Sequence, residues 1–191
     1  MKIGFLGCFL WVFTAAFSQE ILEHDMNGDG IADKVWLEEE VILCKLSGNE
    51  NVLVKSKPID QIADNVSFHA AAGGFYFNVN YMRAGFSVQF RYNKKTGRME
   101  TIGMSRYEFG PASNDGSGES SVNLLTHDYV GNWNYFDMEE NNLKAIPEIK
   151  TKMKLKKETL DQFDGSLSDT YITRCSELFA KRKTELLKNK K

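Results

Sequence analysis

The sequence predicts an all-β protein, mainly antiparallel, with one α-helix at its C-terminus. Three observations carry this. The runs GFYFNVNYM and GFSVQFRY alternate apolar and polar residues with a period of two, the signature of half-buried strands. Short links rich in Gly, Asn and Lys separate such runs, as antiparallel hairpins require. Only beyond Ser168 do apolar residues recur at helical spacing.

In chain order, residues 1–18, MKIGFLGCFLWVFTAAFS, carry one cation at Lys2, an apolar run from Ile3 to Phe13 and small residues up to Ser18. This pattern predicts a secretory signal peptide, too short and wrongly flanked for a membrane span. Cys8 lies at the start of the apolar run, whereas a lipid-anchored cysteine would follow it. Residues 19–191 are then expected to form a single domain, periplasmic or secreted, with no membrane span after signal cleavage. Removing the leader takes away only Lys2, leaving 23 basic against 26 acidic residues, so nothing points to nucleic acid. Export allows Cys44 and Cys175 to pair, and two buried thiols are the equal alternative. A bridge between them would close a loop worth about 4 to 5 kcal/mol in the chain-entropy picture.

Residues 24–36, HDMNGDGIADKVW, crowd Asp25, Asn27, Asp29 and Asp33 around Gly28 and Gly30. Counting Asp25 as position 1, these residues follow the spacing of an EF-hand calcium loop through position 9. Gly30 permits the sharp turn, Ile31 offers its carbonyl, and Asp33 closes the shell directly or through water. Position 12, usually a bidentate Glu, is Trp36, and DKVWLEE alternates like a strand. A surface loop of Asx-turns without metal is the alternative, because Asn and Asp favour turns unaided.

Strands are expected over Lys34–Glu39, Val41–Leu46 and Asn51–Ser56, and again over Val66–Ala71. Phe75, Phe77, Val79 and Tyr81 share one face of the next run, and Phe86, Val88, Phe90 and Tyr92 one face of the run after it. With RMETIGMSRYEF these make a three-stranded meander. Asn132–Met138 adds a strand. In IKTKMKLKK, Lys150, Lys152, Lys154 and Lys156 alternate with Thr151, Met153 and Leu155, which reads as a lysine-protected edge strand. From about 168 to 188 the stripe Ile172, Cys175, Phe179 and Leu186, widened by Leu178 and Leu187, predicts the helix.

Two resemblances follow from these motifs. The Asp-x-Asn-x-Asp-Gly-x-x-Asp loop leading into a strand resembles the calcium loops of integrin-type FG-GAP and related extracellular β repeats. That likeness implies Ca2+ bound by Asp25, Asn27, Asp29, the Ile31 carbonyl and Asp33, with a dissociation constant of about 0.1 to 1 mM. The order of calcium loop, hairpin, meander with RYNKKTGRMETIGMSRYE, and NDGSGESSVNLLTHDYVGNW is similar to exported Gram-negative proteins related to the periplasmic inhibitors of invertebrate-type lysozyme. It implies a β-sandwich-like binding protein that blocks a lysozyme or other cell-wall hydrolase, not an enzyme. Inhibitors of that type insert a Ser-Gly loop, usually followed by Tyr, into the cleft. Here Ser117, Gly118, Glu119 and Ser120 are the corresponding partner-binding residues, and no Tyr follows.

Two further function classes have sequence support. Trp133 and Tyr135 share a face and suit stacking on sugars, which would make a carbohydrate- or envelope-binding module without inhibitory activity. His127 and Asp128, with Ser117, Ser120 and Ser121 nearby, supply the ingredients of a hydrolase. Neighbours on a strand point to opposite faces, however, so Asp128 is poorly placed to orient His127.

Overall fold

The computed structural model describes residues 20–48, 51–60, 62 and 65–189. The predicted signal peptide lies outside them. The described residues are all-β with a single α-helix at the C-terminal end, as the alternation predicts.

Four strands form a small antiparallel sheet in chain order: β1 (Leu22–His24), β2 (Asp33–Glu38), β3 (Val41–Leu46) and β4 (Val52–Lys55). The larger sheet has eight strands. Its spine is a meander of β5 (Asn65–Ala71), β6 (Gly74–Asn80), β7 (Ala84–Asn93), β8 (Arg98–Glu108), β9 (Gly118–Asn123) and β10 (Asp128–Asp137). The three strands expected from alternation, β6 to β8, are thus the second to fourth of six. Beyond β10, β11 (Asn142–Ala145) and β12 (Ile149–Lys152) pair with successive stretches of it. Lys150 and Lys152 stand exposed on that outermost strand, as an edge requires.

One face of the large sheet is apolar. Phe75, Phe77, Val79, Val88 and Phe90 are sealed against the small sheet's Val35, Ile42 and Cys44. Phe163, just past a 3-10 turn at Leu160–Gln162, inserts edge-on between Phe77 and Phe90, with ring centroids at 6.2 and 5.2 Å. Each such ring contributes about 2 to 3 kcal/mol by leaving water. Tyr81 was expected on this face, but β6 stops at Asn80 and Tyr81 is exposed in the turn.

The other half of the same face lies under α1 (Ser166–Lys188). The helix begins two residues before the expected start. Gly165 takes φ +89°, and Asp164 accepts the Ser166 amide at 3.0 Å. Its buried stripe is Leu167, Tyr171 and Cys175, continued by Phe179 and Leu186. Tyr171, rather than Ile172, is the sealed residue of the second turn, and Leu187 is exposed. Beneath the helix, the Trp133 indole N–H donates to the Tyr129 hydroxyl at 3.1 Å, while Arg106 lies over the Trp133 ring.

Cys44 sits between the sheets and Cys175 under the helix, both as free buried thiols. A bridge would need the helix on β3, but α1 packs on β8 and β10.

Candidate functional site

The acidic loop joins β1 to β2 and turns its oxygens onto its own backbone. Asp25 accepts the Gly28 and Gly30 amides at 2.7 and 3.0 Å, and these bonds hold its carboxyl below the ordinary value. Asn27 Oδ1 accepts the Asp29 amide at 2.9 Å, and Asp29 Oδ1 accepts the Ile31 amide at 2.8 Å. Asp33 differs from the others. It is fully buried, with Oδ2 taking the Met26 amide at 2.7 Å and the Asn27 amide at 3.3 Å, and Oδ1 taking the Ser47 amide at 2.7 Å. It pins the loop to the end of β3. A Cβ on Gly48 would stand 2.6 Å from Asp29 Oδ2, so the turn after β3 closes on the loop only as glycine.

Asp25, Asn27, Asp29 and Ile31 are more open than Asp33, and a carboxylate oxygen that accepts one amide retains a second lone pair. This donor set suits a hard cation in chemistry. Among the described residues, no three His, Cys, Asp or Glu side chains converge on one metal position.

The second candidate, residues 117–120, is divided by the fold. Residues 109–117 form a tight loop whose shape is fixed from several sides. Arg83 donates to the Gly110 carbonyl at 2.6 Å and to those of Phe109 and Pro111 at 3.3 and 3.4 Å. Asp115 holds the Phe136 amide and the Lys183 ammonium, both at 2.8 Å. From Gly118 onward the chain is strand β9, not loop, which corrects the expected insertion. Gly118 is glycine because a Cβ there would lie 2.1 Å from the Asn132 carbonyl oxygen. Ser120 is buried under the helix, 2.8 Å from the Tyr171 hydroxyl, and cannot reach a partner. Only Ser117 remains in the loop, while Glu119 points to the sheet's other face.

The remaining candidates also separate. Trp133 and Tyr135 are each only 4% exposed, so they pack in the core and offer sugars no surface. Asp128 is held by Lys152 at 2.6 Å, and His127 Nδ1 is buried without a partner, so the two do not form a relay with serine.

What the sequence reading overlooked is the large sheet's second face. Among the described residues no element covers its middle, and a cavity of about 610 Å³ lies on it, continued by a depression of about 320 Å³. Strand register sets out its floor in rows. Ser67, Asn78, Ser87, Ser105, Ser121 and Val130 stand opposite one another across six strands. On one side runs His69, Tyr76, Gln89, Gly103 and Asn123; on the other run Asn80, Gly85, Tyr107, Glu119 and Asn132. The register shift between Gln89 and Phe90 marks a bulge, which bends and coils the strands there. The signal was present in the residues skipped between the aromatic ones: Asn78 and Asn80, then Ser87 and Gln89.

Comparison with family models, with curated proteins and with solved structures gives no match.

Proposed function

We propose that this chain is an exported, non-catalytic binding protein that receives its ligand on the open face of the eight-stranded sheet. The observation that carries this reading is the roughly 610 Å³ cavity on a face floored by short polar side chains. A solvated sheet face ordinarily carries long charged residues, as β12 does, and such residues fill space. A face kept short and uncharged along its central row, from Ser67 to Val130, preserves a hollow.

At the end of the meander where β5 turns into β6, the acidic loop is a calcium brace in this proposal. Calcium, when bound, neutralises the crowded carboxylates. Asp25, Asn27, Asp29 and the Ile31 carbonyl would hold it, while Asp33 keeps its amides and braces the loop from behind. At about 100 times the dissociation constant the ion adds roughly 2.7 kcal/mol of stability. Thermal melts in calcium and in chelator test this, and superimposable curves remove calcium from the proposal. Among the described residues no helix is long and apolar enough to cross a membrane.

Blocking of a lysozyme or other cell-wall hydrolase is the second reading. It is favoured by the pre-shaped loop 109–117, whose exposed Phe109 ring is presented at little entropic cost. A panel of muramidases assayed with the parent and with Phe109→Ala separates the readings. Inhibition that the variant loses supports the loop; no inhibition leaves the open face as the recognition surface.

A further inference from the structure

Building on the open face as recognition surface, we propose that its ligand is a neutral glycan chain, lying across the serine and asparagine rows with Tyr76 and Tyr107 as stacking platforms. Charge argues for this class. Apart from the tyrosines, only His69 and Glu119 in the three rows can ionise; Arg91 lies at the smaller depression, and Arg106 is largely buried against Glu108 and the Trp133 ring, so the rows themselves offer little to a phosphate, a nucleic acid or a strongly charged peptide. What it offers instead is a lattice of hydroxyls and amides. Opposed side chains on neighbouring strands stand about 5 Å apart, which gives a repeating set of donors and acceptors. A polyhydroxylated chain presents the matching array, and each hydroxyl can both give and take a hydrogen bond.

Sugar rings also have apolar faces, and aromatic surfaces receive them. Tyr76 is about one-third exposed and lines both hollows. Tyr107 owes its posture to its partner across the ladder. A Cβ on Gly85 would fall 2.5 Å from the Tyr107 ring, so the missing side chain lets the ring lie against the floor. Its hydroxyl is anchored 3.1 Å from Asn80 Oδ1. Phe109 packs beside it, with centroids 5.4 Å apart. Two strands and four residues separate the two tyrosines, roughly 16 Å by strand spacing and rise. One ring cannot touch both platforms, so the geometry selects a chain of several sugars. Glu119 and Asn132, beside Tyr107 in its row, supply a carboxylate for a pair of ring hydroxyls and an amide for the next.

The test is calorimetric titration of the full mature chain with chitohexaose, cellohexaose and xylohexaose, together with sedimentation on purified peptidoglycan sacculi. The parent is expected to bind at least one of these saturably. Tyr76→Ala and Tyr107→Ala should each weaken it roughly tenfold, and Ser87→Lys, which fills the floor, should abolish it. Tyr107→Phe keeps the ring and should retain most of the affinity, which guards against a fold defect in the alanine variant. If no glycan binds a folded parent at millimolar concentration, the inference falls. A protein captured from envelope extract by the parent and lost by Ser87→Lys overturns the glycan but leaves the face as recognition surface. If Ser87→Lys matches the parent in every assay, both are overturned.

Discussion

Asp33 shows how one residue can belong to a motif and yet do a different job from its neighbours. Its three amide partners make it the hinge pin between the acidic loop and β3, and it lies out of water. Truncating it leaves those donors without an acceptor in a buried place, at a cost of about 3 kcal/mol. Urea unfolding of Asp33→Ala in chelator is expected to show this loss without any metal present; equal stability to the parent would contradict the assignment. Spacing identified Asp33 as one of five alike, because sequence offsets report which residues share a turn, not which oxygen faces inward. Ser120 teaches the same lesson. It looked like a loop serine beside Gly118, but period-two alternation within β9 sends it under the helix and Glu119 to the open side. Cys44 is equally enclosed, and burial followed by the nearby Asp33 pushes its thiol up to about 12, so it is inert to exchange.

Elements that meet through an ion pair can be tested through it. The loop 109–117 meets α1 at Asp115 and Lys183, a pair whose side chains are 31% and 25% exposed. Burial alone would raise the Asp115 carboxyl, but the Lys183 ammonium and the Phe136 amide outweigh it and hold it below its ordinary 3.8. A depressed carboxylate contributes stability above its unfolded value and loses it as pH falls through the folded one. Asp115→Asn is therefore expected to cost about 1 kcal/mol near neutral pH. The gap to the parent should close on acidification to roughly pH 2, as followed by chemical unfolding at several pH values. A gap that persists there would mean the amide bond to Phe136, not the ion pair, is what matters. The strands most legible beforehand were those with aromatic alternation, β6 to β8, because a one-sided core writes a strong period. β1 and β11 were missed since three or four residues carry no measurable period. β9 was missed because its core-facing side holds Ser120 and Val122, a polar residue and a small one.

At the scale of the whole molecule, one sheet has a dry face shared by two covers and a wet face that the described residues leave open. The small sheet covers the β5 to β7 half and the helix covers the β8 to β10 half. Sequence revealed the dry face because burial selects for apolar residues; the wet face stayed unread because serine and asparagine on a strand look like ordinary solvation until register lines them up. Each cover has a tryptophan by which it can be followed, one on the small sheet and one on β10 beneath the helix. Trp36, half-buried on β2, follows the acidic loop, with its indole N–H 3.5 Å from Glu38; Trp133 is sealed under the helix beside Phe179, centroids 6.3 Å apart. The third, Trp11, lies in the stretch expected to be cleaved. Single replacements thus isolate one fluorophore on each side. Calcium is expected to shift the emission of Trp133→Phe, which reports through Trp36, and to leave that of Trp36→Phe unchanged. An equal response from both would mean the ion reaches across the entire structure. In rising denaturant the same two variants give separate optical channels. Coincident curves mean that the covers leave the sheet in one cooperative event, and displaced curves order their departure.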